Sequence, residues 1–216
     1  MITTDLLAEI IQCPPERAVR WHPPLMQSMQ HFGINTPRRA AHFLAQVGHE
    51  SVGLACLEEN LSYTIQRLRS VFPHRIPDHL FSAFANHPQS LANWIYANRK
   101  GNGPVSSGDG YRFRGRGPLQ LTGRDNYRLI GERIARPLET QPDLVRSIPI
   151  GSLAAAAYFA DTRLLRLADT NDTLGVSRWI NLGTTNTTTC PNGFADRVAR
   201  TERALTLLRY ARAIFP

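Results

Sequence analysis

Apolar residues recur at helical spacing through most of this chain, and proline or glycine interrupts the pattern before any run grows long. The clearest case begins at Thr36. A threonine there caps a helix, Pro37 suits its first position, and Ala40, Phe43, Leu44 and Val47 follow at i, i+3, i+4, i+7, the spacing of a buried stripe. The same reading predicts helices over Thr3–Ile11, Pro23–His31, Pro77–Asn86, Pro88–Ala97, Arg124–Ala135, Leu153–Ala168, Thr173–Ile180 and Phe194–Ile214. On the last of these Val198, Leu205, Leu208 and Ala211 share one side. Arg197, Arg200, Arg203, Arg209 and Arg212 lie elsewhere, as on a solvated face. The expected class is mainly α, with at most a short β element.

One segment departs from the helical pattern. Lys100–Gly117, KGNGPVSSGDGYRFRGRG, holds six glycines and two serines among its eighteen residues. Tyr111 and Phe113 alternate with Arg112 and Arg114, which predicts a short strand or an extended lip. Glycine at this density inside a helical chain has a backbone reason, such as a sharp turn or close approach to a ligand.

The 216 residues are 42% hydrophobic and 19% charged, enough for one domain with its own core and unlike a disordered chain. The longest apolar stretch, near Leu153–Ala160, falls far short of the roughly 20 residues that span a bilayer. No positive n-region leads into an apolar core at the N-terminus, so no standard secretory signal is expected. Cys13, Cys56 and Cys190 are odd in number and fit no metal spacing; buried or incidental thiols are expected. The formal charge is +8, almost all of it from arginine, with Lys100 the one lysine. Such a surface suits nucleic acid, anionic lipid or an anionic wall polymer, or reflects composition alone; charge does not choose among them.

Three carboxylates stand out. Glu50 continues the Thr36 helix three residues beyond Val47, on or beside its apolar stripe. A carboxyl there is paired, neutral or used; desolvation favours the protonated form that a general acid requires. Glu58 and Glu59 follow, and Gly53 lets the chain turn between, so a second carboxylate could face the first. Glycoside hydrolysis uses such a pair, although acidic pairs are common in proteins of every kind. His49-Glu50 opens like HExxH, but Gly53 stands where the second histidine belongs. Neither a GxxxxGK[ST] phosphate loop nor a GxSxG elbow is present, and His22, His31, His42, His74, His79 and His87 show no ligand spacing. The run from Tyr111 to Arg116 interleaves aromatics with arginine, as nucleic-acid and sugar sites both do, and as a merely basic loop does.

Five stretches, in order, carry a resemblance: AQVGHES (Ala45–Ser51), EENLSYT (Glu58–Thr64), NWIYANRKGN (Asn93–Asn102), SGDGYRFRGRGPLQLTGRDNY (Ser107–Tyr127) and WINLGTTN (Trp179–Asn186). Together they resemble glycoside hydrolase family 19, in its phage-endolysin branch rather than its plant chitinases. The resemblance implies a lysozyme-like, two-lobed helical fold with a central cleft, as a single catalytic domain over 1–216 without a separate wall-binding module. It implies Glu50 as general acid, Glu59 as base and Thr122 as the hydroxyl that holds the attacking water. Gln120, Asn126, Tyr127, Asn181 and Arg197 match substrate-contacting positions. Leu182 departs from the family pattern, standing where the first glycine of an INGG-like motif is expected. An inverting reaction is implied, with the two carboxyl groups roughly 6.5–9.5 Å apart to admit a water. Neither a metal nor an organic cofactor is expected. The implied partner is the peptidoglycan glycan strand, with an anionic outer-membrane or wall surface as a further one. Nucleic acid is not expected, and the expected state is a monomer. The implied place of action is the cell wall, reached from the host cytoplasm through a holin pore at lysis. Two alternatives stand beside this: a chitinase of the same family, and a non-catalytic glycan-binding protein.

Overall fold

The computed structural model describes residues 1–209. In chain order its α-helices are α1 (Thr4–Ile11), α2 (Pro15–His31), α3 (Pro37–Glu50), α4 (Ile65–Val71), α5 (Phe81–Phe84), α6 (Pro88–Ile95), α7 (Asp109–Arg112), α8 (Arg124–Arg133), α9 (Ile148–Phe159), α10 (Thr162–Asp169), α11 (Thr173–Leu182) and α12 (Phe194–Leu208). Among the described residues the only β structure is two isolated antiparallel bridges, Glu58 with Arg116 and Arg116 with Leu121. The mainly α class with a minimal β element is therefore what the chain adopts. No helix among the described residues is long and apolar enough to cross a membrane.

The chain divides into two compact units. The first comprises Met1–Leu57, Gly117–Leu119 and the chain from Val145 onward; the second comprises Glu58–Arg116 and Gln120–Leu144.

In the first unit α3 packs along α12, and α2 packs along α9. Thr36 caps α3 by accepting from the Arg39 backbone N–H at 3.2 Å, and Ala40, Phe43, Leu44 and Val47 are fully buried. Helix α9 is apolar all round, and Ala154–Ala157 and Phe159 place it inside the core, as such a helix requires. Three sequence expectations change here. The helix read as Pro23–His31 starts at Pro15 and runs through Pro23 and Pro24. Prolines there free the carbonyls of Val19 and Arg20, both exposed residues that water can reach, while Trp21, Leu25 and Met29 are buried on the other side. Leu153–Ala168 is two helices, because the Asp161 carboxylate accepts from the Arg163 N–H at 2.8 Å and starts α10 afresh. The buried face of α12 is Arg197, Thr201, Ala204 and Leu208, one step round from the apolar side read in the sequence. Of the helix predicted over Phe194–Ile214, residues 210–214 lie outside the described residues, Ala211 and Arg212 among them.

In the second unit α4, α5 and α6 enclose a small core of Leu61, Leu68, Phe81, Phe84, Leu91 and Ile95. The helix predicted over Pro77–Asn86 is a single 3-10 turn, Asp78–Leu80, followed by α5. Helix α4 went unpredicted: only Leu68 is buried on it, so its periodicity is faint. The strand expected at Tyr111 and Phe113 is absent. Asp109 accepts from the Gly103 N–H at 2.9 Å, and the chain winds into α7 instead.

Candidate active site

In the first unit Glu50 is the last residue of α3, its side chain 15% exposed. Facing it from α12 is Arg197, only 1% exposed. Arg197 donates from Nη2 to Oε1 of Glu50 at 2.5 Å, from Nε to the Asn192 carbonyl at 2.9 Å, and from Nη1 to Oε1 of Gln46. Gln46 is fully buried and passes its amide N–H to Ser177 Oγ at 3.3 Å. Glu50 on its apolar face is paired with a cation, as a guanidinium taken out of water needs a counter-charge. Asn181 accepts from the Asn192 N–H at 2.9 Å, and so fixes the segment whose carbonyl Arg197 uses. Beside Glu50, His49 Nδ1 lies 2.6 Å from Asp196 Oδ2. The Tyr158 hydroxyl is pushed up to about 12, by burial first and then by Asp161 and Glu50.

In the second unit the β-bridges hold Glu59. Its N–H donates to the Gly115 carbonyl at 3.0 Å, and the Gly115 N–H donates back to its Oε1 at 2.5 Å. The other oxygen, Oε2, accepts from the Tyr96 hydroxyl at 2.8 Å. Burial, and then the Glu59 carboxylate, push that hydroxyl far above the ordinary tyrosine value, so Tyr96 stays a donor. A Cβ on Gly115 would lie 2.9 Å from Gln120 Oε1, 3.2 Å from Thr122 Oγ1 and 3.3 Å from Glu59 Oε1, so a side chain there would push these groups aside. The bare backbone at Gly115 thus lets those three side chains converge. Thr122 Oγ1 donates to the Gln120 carbonyl at 2.8 Å, so toward a water it acts through its lone pairs, as an acceptor. Glu58 turns away from this group. Its Oε1 receives Arg114 at 2.7 Å from Nε and 2.5 Å from Nη2, and that guanidinium stacks 3.9 Å from the centre of the Tyr111 ring.

The structure gathers Glu59, Gln120 and Thr122 in one unit, and Glu50, Asn181 and Arg197 in the other. Asn126 lies one layer back, donating from Nδ2 to the Thr122 carbonyl at 2.8 Å. Tyr127, expected among the substrate contacts, is 0% exposed. Its hydroxyl donates to the Arg114 carbonyl at 2.8 Å and accepts from Arg116 Nη1 at 3.2 Å, so it braces the loop from within. Arg197 was read on a solvated helix face and is instead buried. Tyr96, Gly115 and Gln46 were given no role in the sequence, although all three lie in the stretches that carry the family resemblance. The cysteines form no disulfide; Cys13 is half-buried, while Cys56 and Cys190 are exposed rather than buried. No group of three His, Cys, Asp or Glu side chains among the described residues is arranged to hold a metal ion.

Comparison with known proteins defines the class first. Residues 77–194 match the family model for glycoside hydrolase 19, described as chitinase class I. A glycosyl hydrolase family 19 domain-containing protein of Haemophilus influenzae is 40% identical over 152 residues, covering 70% of this chain and 74% of that one. The acidic 27 kDa endochitinase of Solanum lycopersicum is 46% identical over 50 residues, only 23% of this chain and 20% of the tomato protein. Chitinase C from Streptomyces griseus HUT6037 shares the fold, with a TM-score of 0.59 at 18% identity over 96% of this chain and 76% of its own. This is a glycoside hydrolase with a mainly helical fold. The chain belongs to glycoside hydrolase family 19.

Proposed function

We propose that the protein is an endolysin-type muramidase, cleaving the β-1,4 links between N-acetylmuramic acid and N-acetylglucosamine in peptidoglycan. Glu50 is the general acid that protonates the leaving oxygen, and Glu59 is the base that takes a proton from water. Thr122 accepts from that water and sets its direction of attack. The observation that carries the assignment is the hold on Glu59: both carboxylate oxygens are fixed by donors, beside a threonine hydroxyl whose own proton is already committed. A carboxylate fixed in this way beside Thr122 is preorganised as a base, whereas its neighbour Glu58 is held by Arg114. Attack by water rather than by the carboxylate inverts the anomeric carbon. The cell wall is the place of action, and the +8 charge suits its anionic polymers.

A chitinase acting on N-acetylglucosamine polymers is the second reading, favoured by the likeness to plant endochitinases. One experiment separates them. The purified protein is given peptidoglycan and chitin, the new reducing ends are identified, and proton NMR follows the first-formed anomer. Muramic acid at the new ends, with inversion, supports the proposal. Cleavage of chitin alone, or a retained anomer, overturns it.

A further inference from the structure

Two groups stand out among the cations of the second unit. Arg114, Arg116, Arg124 and Arg128 each lie within 4.0 Å of a carboxylate: Glu58, Asp143, Glu139 and Glu132 respectively. Arg67, Arg69, Arg75, Arg99 and Lys100 make no ion pair among the described residues, and the one carboxylate between positions 60 and 100 is Asp78. Three of these cations belong to one stretch of chain: Arg99 and Lys100 are neighbours in sequence, and Arg75 is tied to the Ile95 carbonyl just before them, donating at 2.5 Å. Arg99 acts electrostatically on both Arg75 and Lys100.

Lys100 is set in place by its backbone. It holds a left-handed φ of +48°, and its carbonyl accepts from the Asp125 N–H at 3.0 Å. Its Cβ occupies the space that a side chain on Gly123 would need, since a Cβ there would lie 2.4 Å away. Asp125, the nearby acid, lies 3.6 Å from Arg128, and its carboxylate also packs over Gly101, where a Cβ would lie 2.5 Å from Oδ1. The loop is tied back to Tyr96, whose carbonyl accepts from Asn102 Nδ2 at 3.0 Å and whose hydroxyl holds Glu59. Desolvation and Arg99 hold the lysine ammonium below its ordinary value, while the Glu59 carboxylate pulls it back up. Lys100 and Arg99 are thus two exposed, adjacent cations without an ion pair, on a loop set by its backbone next to Gly123, where an anionic ligand can meet both.

We propose that Arg99 and Lys100 form a carboxylate-recognition site beside Glu59, which takes the acidic groups carried by a peptidoglycan strand. Those groups are the stem-peptide carboxylates, or the lactyl carboxylate of muramic acid once a stem has been removed. The inference rests on the peptidoglycan reading above. A chitin strand carries no carboxylate for such a site to bind.

The test uses wild type, Lys100→Gln, Arg99→Gln and Lys100→Arg on three substrates: intact peptidoglycan, strands stripped of stems by an amidase, and peptidoglycan with its carboxyls chemically amidated. On intact peptidoglycan each Gln variant should raise KM about tenfold more than on the amidated material, the worth of one charge-assisted contact. Lys100→Arg should restore most of the loss. An excess loss on stripped strands assigns the lactyl group; its confinement to intact material assigns the stem. Wild type, independently of any variant's folding, should be slowed by an acidic stem peptide and not by its carboxamide form. Equal losses on charged and amidated peptidoglycan, or equal inhibition by both peptides, overturn the inference alone. Wild type that cleaves chitin and leaves peptidoglycan intact overturns both this inference and the reading beneath it.

Discussion

Arg197 reaches Glu50 from within the helical core, its Nη2 2.5 Å from the carboxylate and its guanidinium 1% exposed. Removing one partner of such a pair leaves the other charge without compensation, at a cost of about 3–5 kcal/mol where burial is complete. Glu50→Gln is therefore expected to do two things. It should lower hydrolysis by at least about a hundredfold, the worth of general acid help. It should also lower the melting temperature, which a purely catalytic carboxylate would not. Glu50→Gln combined with Arg197→Met should destabilise less than the sum of the single changes, read in a double-mutant cycle of denaturant midpoints. Additive losses would mean that the two side chains are not coupled.

Glu58 and Glu59 are neighbours with different tasks. Glu58→Gln loses the pairing with Arg114, a partly exposed pair worth about 1 kcal/mol or less. Activity should fall only a few-fold. Glu59→Gln should keep a similar melting temperature and lose at least about a hundredfold in kcat. A Glu58 variant more damaged in kcat than the Glu59 variant would reverse the assignment of the base.

Tyr96→Phe keeps the ring in its core and deletes one hydrogen bond to Glu59. A hydrogen bond to a charged group is worth roughly 1.5–3 kcal/mol, so kcat should fall by about ten- to a hundredfold if the carboxylate needs that anchor. KM should barely change, since Tyr96 acts through Glu59 in this account. Loss of affinity with kcat intact would make Tyr96 a substrate contact instead.

Thr122 gives a finer test of the same group. Thr122→Ser retains a hydroxyl able to donate to the Gln120 carbonyl and accept from water, while Thr122→Ala retains neither. The serine variant should keep most of the turnover, and the alanine variant should lose more than serine but less than Glu59→Gln. Equal activity in the two would remove the hydroxyl from the account.

The helices that were legible in the sequence are those with a cap and a wide apolar stripe, such as α3 with Thr36 and Val47. Both follow from local spacing. The misread ones turn on distant contacts. Proline at 23 and 24 looks like a helix start until Trp21 and Met29 are seen to share one buried face. Arginine at 197 reads as solvent-facing until Gln46 and Glu50 arrive from α3, about 150 residues earlier in the chain. The candidate carboxylates were visible because their chemistry is written in residue type. What fixes them was not, since Tyr96 and the Gly115 N–H meet Glu59 only through pairings between segments far apart in sequence.

A pH-dependent term in stability follows from His42, which is fully buried on α3. Its Nε2 lies 2.9 Å from Asn171 Oδ1, which makes Nε2 the protonated nitrogen, and its Nδ1 has no hydrogen-bond partner. Charging the ring would add an N–H with nothing to receive it. Burial holds the imidazole below its ordinary value; Arg38 adds to this, while the Asn171 hydrogen bond and Asp172 oppose it. The unfolded chain therefore binds this proton more readily than the folded one. Stability should be unaffected by His42 above about pH 6.5, and should fall as the pH drops from there toward the depressed folded value. The slope for one proton is at most about 1.4 kcal/mol per pH unit. Asp169, held down chiefly by its hydrogen bond from Arg39, loses its contribution only at lower pH, as the medium falls through the carboxylate range. Denaturant midpoints of wild type and His42→Gln, compared between pH 7.5 and 5, isolate this histidine. His42→Gln should be less stable than wild type at pH 7.5, with the gap narrowing on acidification. A gap that stays constant across that window would show that His42 carries no linked proton.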